Sequence, residues 1–320
     1  MRKSLLKVDK FEHERENLIS EILSGFDKPQ KQLPCKLFYD KRGSALFDEI
    51  CELEEYYPTR TEVGIMKDNI DEICSSLAKN CLLVELGSGS SIKIRLLLDN
   101  LSNPSGYVPI DISEEHLMES VKILAEDYPE LRIIPVYADY TQPIGFPQFD
   151  FPFSHIVFFY PGSTIGNFSP ESARRFLSRI AKRAGSGSGL LIGVDLVKDN
   201  KTLEDAYNDA RGVTAEFNLN ILKRLNREAG TDFDVGKWRH KAFFNVQESR
   251  IEMHLESMIN QRVNVDGVSF RFRKDQTILT EYSYKYTLVN FQELVSDSYS
   301  VERVWTDRDN KFSVQYLKVK

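Results

Sequence analysis

The sequence lacks several features, and each absence excludes a class of protein. No apolar run approaches the roughly 20 residues that a membrane-spanning helix needs, and residues 1–7 lack the apolar segment of a secretory signal. The net charge of -6 gives no electrostatic reason to expect nucleic acid or an anionic membrane surface as a partner. We therefore expect a cytoplasmic protein that acts on a small molecule, and we expect it to be a monomer.

Patterns of metal ligands are also missing. The four cysteines form no C-x-x-C pair, and the five histidines show no H-E-x-x-H spacing. Reduced thiols are therefore expected rather than disulfides or a zinc site, and a metal enzyme is not expected. With 320 residues, the chain is long enough for one large domain or for two of ordinary size.

A glycine-rich segment is the first positive signal. The apolar run 82–86 leads into Gly87 and Gly89, which is typical of a buried strand, a tight loop and a helix start that together bind a nucleotide-like ligand. A dinucleotide fingerprint has a third glycine where this chain has Ile92, so pyrophosphate binding is disfavoured. The pattern Glu85-x-Gly87-x-Gly89 instead resembles the first motif of S-adenosylmethionine-dependent methyltransferases. An ordinary strand-to-helix turn remains the alternative.

Acids at the ends of two further predicted strands support an adenosyl ligand. Asp111 ends the strand 106–111 and follows Gly89 at roughly the 20-residue spacing at which such folds bind ribose hydroxyls. Asp139 follows the strand 132–138, whose end lies beside the adenine in the methyltransferase arrangement. For Asp139, the role of a helix cap or turn residue is equally supported.

Alternating strands and helices predict an α/β fold, a doubly wound Rossmann-like sheet that ends in an antiparallel hairpin. The predicted core strands are 81–86, 106–111, 132–138, 154–160, 190–195, 300–305 and 312–319. The predicted helices include 11–24, 44–53, 92–101, 287–296 and one that continues to Leu77 from a capping box at Thr59 to Glu62. Residues 199–228 are predicted to be helical and 241–273 to form an antiparallel meander, which we interpret as an inserted α+β domain.

Motifs along nearly the whole chain resemble one family, the histidine-specific Nα-trimethyltransferases of ergothioneine biosynthesis, which make hercynine from histidine. The matching segments are 37–40 with 43–44, 56–62, 85–89, 161–168, 206–209 and 280–286. The resemblance implies a class I methyltransferase core at 60–195 and 287–320, and a substrate-binding or cap domain at 1–59 and 196–286. A generic methyltransferase would match only the core.

The resemblance also implies which residues bind the methyl donor. Tyr39 corresponds to a tyrosine near the donor and the substrate amine, Asp111 to the ribose-binding acid, and Asp139 with Tyr140 to the adenine pocket. The remaining positions belong to the glycine loop, the lysine after it and the loop that follows the fourth strand: Gly87, Ser88, Lys93, Gly162 and Ser163. The donor is S-adenosylmethionine, with S-adenosylhomocysteine as the product.

The acceptor residues are implied in the same way. Asn167 and Tyr207 correspond to the pair that holds the backbone groups of the amino acid, and Tyr39 with Asn167 to the catalytic pair. Glu281 and Ser283 correspond to the residues that recognise the imidazole through hydrogen bonds. If their segment is extended, both side chains fall on one face while Tyr282 and Tyr284 point the other way. The side chains that line the pocket are Tyr56 and Met253.

Each of these residues also has a simpler interpretation when it is considered alone. Glu281 is compatible with an exposed acid paired with Lys285, and Asn167 with a turn residue. Lys93 is compatible with a solvated helix residue. Tyr56, Tyr207 and Met253 are compatible with the core. The joint occurrence of the matched motifs favours the functional interpretation.

The sequence therefore predicts a methyltransferase that adds three methyl groups to the α-amine of L-histidine. One alternative is an N-methyltransferase of the same fold that acts on another aromatic amino acid or amine. The other is a non-catalytic nucleotide-binding protein on a methyltransferase core.

Overall fold

The computed structural model describes residues 9–10, 15–89, 91–142 and 148–320. The chain divides into two compact units, each with its own hydrophobic core. The first unit comprises Met1–Phe11, Pro58–Val197 and Lys285–Lys320, and the second comprises Glu12–Tyr57 and Lys198–Tyr284. Within the described ranges, no helix combines the length and the apolar character needed to cross a membrane.

The elements are given in chain order. The helices are α1 (Arg15–Phe26), α2 (Lys41–Cys51), α3 (Tyr57–Asp68), α4 (Ile70–Leu77), α5 (Ile92–Asn100), α6 (Glu114–Asp127), α7 (Pro170–Ala184), α8 (Asn200–Asp205), α9 (Val213–Glu228) and α10 (Leu288–Val295). The strands are β1 (Asp9–Lys10), β2 (Leu82–Leu86), β3 (Gly106–Asp111), β4 (Val136–Tyr137), β5 (Ile156–Tyr160), β6 (Gly189–Asp195), β7 (Trp238–Asn245), β8 (Arg250–Ser257), β9 (Gln261–Val265), β10 (Val268–Phe272), β11 (Thr277–Tyr284), β12 (Tyr299–Thr306) and β13 (Phe312–Val319). Short 3-10 helices cover Cys35–Phe38, Thr164–Asn167 and Val235–Lys237.

The first unit contains a sheet with the strand order β1-β4-β3-β2-β5-β6-β13-β12. Its strands pair in parallel from β1 to β6, whereas β13 runs antiparallel to β6 and β12 antiparallel to β13. Strands β2 and β6 are buried along their whole length, as expected of parallel strands covered on both faces. The predicted α/β fold with a terminal antiparallel hairpin is confirmed.

Some local predictions for this unit were wrong. The predicted strand 132–138 is only Val136–Tyr137, with one isolated bridge at Ile133. The capping box is also wrong: α3 already begins at Tyr57, and the Glu62 side chain is buried in other contacts. The predicted helix that ends at Leu77 is interrupted at Asn69. The first four residues of the predicted helix 11–24 lie outside the described residues.

The second unit is built around an antiparallel sheet with the order β11-β8-β7, and β9 and β10 form a separate hairpin. The predicted helix 199–228 is instead two helices, α8 and α9, separated by a turn in which Gly212 has a φ of +73°. Asp209 then fixes the start of α9, because its carboxylate accepts from the backbone N–H groups of Val213 and Thr214, each at 2.8 Å. Buried apolar side chains of α9 pack in the same core as those of β8.

Candidate functional site

The glycine loop lies where β2 ends and α5 begins. Gly87 and Gly89 have φ values of +77° and +46°, in the left-handed region that glycine enters without strain. The N–H of Gly87 donates to the carbonyl of Ile110 on β3 at 2.8 Å. The loop is therefore fixed by its own backbone at the carboxyl end of the strands, where open α/β sheets bind their ligands.

Asp111 ends β3 and contacts the same loop. Its carboxylate accepts from the backbone N–H of Gly89 at 3.3 Å and from that of Ser113 at 2.9 Å. Burial raises the pKa of Asp111, although these two backbone hydrogen bonds oppose the shift. The acid predicted for ribose is thus placed against the glycine loop.

Two serine hydroxyls at this loop are buried without a hydrogen-bond partner among the described residues. They are Ser88 Oγ and Ser91 Oγ, and both side chains are buried. Buried polar groups are rarely left unpaired, because the lost hydrogen bond with water is costly. The loop therefore has the donors and acceptors for a polar ligand, and the residues present fit the adenosyl donor implied by the motif.

Glu62 connects three segments beside the loop and was missed as a site residue. Its carboxylate lies 2.5 Å from Lys93 Nζ and accepts from the N–H of Gly162 at 2.8 Å. Only 1% of the Glu62 side chain is exposed. A Cβ on Gly193 would lie 1.9 Å from Glu62 Oε1, so a larger residue there would displace the carboxylate. Lys93 is therefore an ion-paired residue of this region and not a solvated helix residue.

The loop after β5 carries three predicted site residues. Gly162 and Ser163 both have positive φ values, +76° and +56°. The Ser163 hydroxyl accepts from the N–H of Asp195 at the end of β6, at 2.9 Å. Asn167 is partly buried and ends the 3-10 helix that follows. These contacts fix the loop at the carboxyl edge of the sheet.

Asp139 and Tyr140 follow β4. Asp139 accepts from the N–H and the hydroxyl of Thr141 at 2.9 and 2.5 Å, and these contacts fix the turn after β4. The Tyr140 ring lies 5.8 Å from that of Tyr160, and its Cε1 atom is 3.6 Å from the position of a Cβ on Gly87. Tyr140 therefore lies beside the glycine loop.

Tyrosines of the second unit form a continuous set of ring contacts. Tyr39 contacts Phe47 with 5.8 Å between ring centroids, Phe47 contacts Tyr56 at 6.2 Å, and Tyr56 contacts Tyr207 at 6.3 Å. Burial, reinforced by the nearby Tyr207 and Glu281, raises the pKa of Tyr56 well above its ordinary value. The sequence-predicted Tyr39, Tyr56 and Tyr207 are thus brought together.

Strand β11 brings the remaining predicted acceptor residues to this set. The Tyr207 hydroxyl donates to Ser283 Oγ at 2.8 Å. Glu281 is directly opposite Met253 on β8, and Ser283 is opposite Ile251. On the other face of the sheet, the Arg250 guanidinium lies 3.8 Å from the centroid of the Tyr282 ring. The segment is extended, as expected from the sequence, with Glu281 and Ser283 on one face.

Lys285, which the sequence offered as a local partner for Glu281, forms an ion pair with Asp195. In the first unit, its ammonium lies 2.7 Å from a carboxylate oxygen of Asp195, and only 1% of each side chain is exposed.

Asp40 fixes the chain beside Tyr39 and was also missed. It accepts from the N–H of Gly43 and from Asn220 Nδ2, both at 2.8 Å, and from the Arg227 guanidinium at 2.6 Å. Although burial opposes the shift, these hydrogen bonds hold the pKa of Asp40 below its ordinary value. Two of the three partners lie far along the chain on α9, so no local pattern could have identified them.

Comparison with known proteins gives consistent matches over most of the chain. Residues 18–319 match the family described as histidine-specific methyltransferase, SAM-dependent. The histidine N-alpha-methyltransferase of Mycolicibacterium smegmatis is 38% identical over 305 residues, which cover 93% of this chain and 94% of that protein. That of Mycobacterium tuberculosis is 38% identical, with 92% of each chain covered. Ergothioneine biosynthesis protein 1 of Neurospora crassa is 32% identical over 82% of this chain and 32% of its own length.

Proposed function

This chain belongs to the histidine-specific, SAM-dependent methyltransferases, and we propose that it transfers three methyl groups to the α-amino nitrogen of L-histidine to give hercynine. The chain is an S-adenosylmethionine-dependent N-methyltransferase, and the three relatives described above are named for histidine methylation or ergothioneine biosynthesis. The observation that carries the choice of acceptor is the buried hydrogen bond between Tyr207 and Ser283, with Glu281 on the same face of β11.

The donor supplies an electrophilic methyl group on a sulfonium. We assign its binding to the residues around the glycine loop: Gly87, Ser88, Lys93, Asp111, Asp139, Tyr140, Gly162 and Ser163, with Tyr39. The backbone of Gly87 can approach a ligand closely, and the Asp111 carboxylate suits ribose hydroxyls. The unpartnered Ser88 hydroxyl supports the presence of a polar ligand at this loop.

The α-amine must be neutral to attack the methyl group. Its pKa is about 8 in peptides, so a modest depression beside a cation suffices. We assign Asn167 to the amine, because an amide can donate and accept without adding charge. Tyr207 is assigned to the substrate carboxylate. The aromatic faces of Tyr39 and Tyr56 suit the methylated cations, with contacts of about 0.5–2 kcal/mol each.

Glu281 and Ser283 are assigned to the imidazole, and Met253 lines the same face. A carboxylate accepts from one imidazole N–H, while a hydroxyl engages the other ring nitrogen. A site that hydrogen-bonds both edges rejects acceptors that lack these nitrogens by about 10⁴-fold. This difference would separate histidine from leucine or phenylalanine.

We assign a methyltransferase core to residues 60–195 and 287–320, which carries most of the donor residues together with Asn167. We assign a substrate-binding or cap domain to residues 1–59 and 196–286, which carries the other acceptor residues together with Tyr39. The proposal includes a monomeric enzyme in the cytoplasm. The four cysteines, all within the described ranges, form no disulfide, which fits a reducing compartment. Light scattering and cell fractionation test these two points.

Calorimetry tests the acceptor, with histidine, tryptophan and tyrosine each titrated into the protein in the presence of S-adenosylhomocysteine. Histidine is expected to bind most tightly. Mass spectrometry of separate reactions of the three amino acids with S-adenosylmethionine should then show, for histidine, products with one, two and three added methyl groups. Preferred binding of another amino acid would overturn the choice of histidine. If no methylated product formed from any of the three, the non-catalytic alternative would replace the proposal.

A further inference from the structure

The direction in which Glu281 and Ser283 point depends on one extra residue in β11. Ile278 pairs with Leu255 and Leu279 with His254, but the next pair joins Glu281 to Met253, so the register shifts at Thr280. In a regular strand, successive side chains alternate between the two faces. Glu281 would then lie on the face opposite to Ile278.

The bulge reverses this alternation. With Thr280 as the extra residue, Glu281 and Ser283 return to the face that also carries Met253 and Ile251, whose side chains are buried. A shift of one residue moves every following side chain of a strand to the other face. The contacts that hold Thr280 in the bulge therefore determine the direction of the Glu281 and Ser283 side chains.

A single asparagine from α9 holds this bulge. Asn218 has no exposed surface, and its Oδ1 accepts from the Thr280 hydroxyl at 2.8 Å. The same hydroxyl lies 3.0 Å from the carbonyl oxygen of Met253. Asn218 Nδ2 donates to the carbonyl of His254 at 3.0 Å. Asn218 thus binds both strands at the point where their register shifts.

The second N–H of the amide extends the contact to Tyr207. Asn218 Nδ2 donates to His240 Nδ1 at 2.9 Å, and His240 Nε2 lies 2.9 Å from the carbonyl oxygen of Tyr207. Because a carbonyl only accepts, the ring proton belongs on Nε2 and Nδ1 is the acceptor. Burial lowers the pKa of His240, with Asp209 opposing and His254 reinforcing the shift, so the ring is neutral at neutral pH.

A buried amide in an apolar core is costly unless its hydrogen bonds are made. Here one acceptor and two donors are satisfied. Two of the partners, Thr280 and His254, lie on the strands that carry Glu281 and Met253, and the third, His240, contacts the backbone of Tyr207. We propose that Asn218, acting through Thr280 and His240, is the positioning residue that sets acceptor specificity. This inference rests on the proposed function, in which Glu281 and Ser283 read the imidazole.

Thr280→Val tests the inference, because valine keeps the branched shape and removes the hydroxyl. Calorimetry in the presence of S-adenosylhomocysteine should show histidine binding weakened by about 10-fold to 100-fold, because a displaced carboxylate or hydroxyl no longer pairs with the imidazole nitrogens. The preference for histidine over tryptophan should fall, while S-adenosylhomocysteine binds as before. Thr280→Ser keeps the hydroxyl and should restore histidine binding. Thr277→Val is the matched control, because it removes a hydroxyl from the same strand outside the bulge.

Glu281→Gln, measured in parallel, separates the two proposals. If the native chain binds no histidine, both proposals are overturned. If it binds histidine and Glu281→Gln loses that binding while Thr280→Val retains both affinity and preference, only the positioning role is overturned. A Thr280→Val protein that is merely less stable, with unchanged preference for histidine, likewise overturns the positioning role. If Thr280→Val does not fold, Thr280→Ala takes its place with the same expected result.

Discussion

The residues that we assign to the donor in the first unit and those that we assign to the acceptor in the second are held in place in different ways. In the first unit, glycine backbone and strand ends form the proposed donor site. The Gly89 N–H and the Asp111 carboxylate that accepts from it are only 22 residues apart. In the second unit, contacts between side chains dominate, and they join distant parts of the chain. Tyr207 and Ser283 are 76 residues apart, and Asp40 and Asn220 are 180 apart.

We expect this difference to separate the binding of the methyl donor from the recognition of the acceptor. A glycine loop at a strand end depends on backbone conformation, so many sequences of this fold can keep it while their acceptors differ. Reading an imidazole requires several side chains in fixed positions, which only a particular network provides. A substitution in one region should therefore change the binding of one ligand and leave that of the other intact.

Glu281→Ala should produce the largest effect. Removing the carboxylate leaves an imidazole N–H without an acceptor, so histidine binding should weaken by about 100-fold or more. Calorimetry measures the affinities for histidine and for S-adenosylhomocysteine on the same preparation. S-adenosylhomocysteine should bind as it does to the native chain. An equal loss of both affinities would contradict the separation of the two regions and the assignment of Glu281.

Gly193→Ala should have the next largest effect. It should disturb the donor region, by which we mean the residues around the glycine loop that we assign to the donor. The new Cβ would lie 1.9 Å from Glu62 Oε1, so the carboxylate must leave Lys93 and the N–H of Gly162. We expect a loss of about 1–3 kcal/mol in the free energy of unfolding, together with weaker donor binding. Urea denaturation and calorimetry measure the two effects.

Gly64→Ala is the matched control, because a Cβ on this α3 residue meets no atom within 4 Å. It should stabilise the helix by about 1 kcal/mol. If Gly193→Ala weakened histidine binding and spared the donor, the roles given to the two regions would have to be exchanged.

The sequence was most informative about the donor region, because its signals are local. Periodicity located the strands, and the spacing from Gly89 to Asp111 identified an acid that does contact the loop. Glu62 shows the limit of local patterns. Its position fits a capping box, but burial against Gly193 and the ion pair with Lys93 determine its orientation, and both involve residues distant in sequence.

For the acceptor region, the family motifs identified residues that the structure brings together, whereas residue patterns alone favoured core or surface roles. The bulge at Thr280 could not be predicted, since it depends on Asn218, 62 residues away. The split between α8 and α9 was missed for a similar reason. Asp209 and the left-handed Gly212 start a new helix within a stretch whose composition favours a continuous one.

Glu85→Gln should change how the free energy of unfolding depends on pH. Burial raises the pKa of Glu85 to about 8, although a hydrogen bond from Tyr107 and the charge of Lys93 oppose the shift. Between about pH 4.5 and about 8, the unfolded chain has lost a proton that the native state retains, so stability falls as the pH rises and levels off above the folded pKa. Glutamine stays neutral, so within this pH window the free energy of unfolding of the variant should fall by about 1.4 kcal/mol less per pH unit than that of the native chain.

Urea denaturation across that pH window, on the native chain and on Glu85→Gln, measures the difference. Parallel curves would show that Glu85 is ionised in the folded state. Histidine affinity should be unchanged by the substitution, because Glu85 belongs to the donor region.

The smallest expected effect concerns the single hydrogen bond between Tyr207 and Ser283. Tyr207→Phe, Ser283→Ala and the double variant form a cycle that isolates the energy of their interaction. We expect a coupling of about 1 kcal/mol in the free energy of unfolding, the usual net value of a neutral hydrogen bond. Each single variant should also weaken histidine binding, while S-adenosylhomocysteine binding stays unchanged. Strictly additive effects on stability would mean that the two hydroxyls contribute independently, and the acceptor region would then lack the side-chain coupling that distinguishes it from the donor loop.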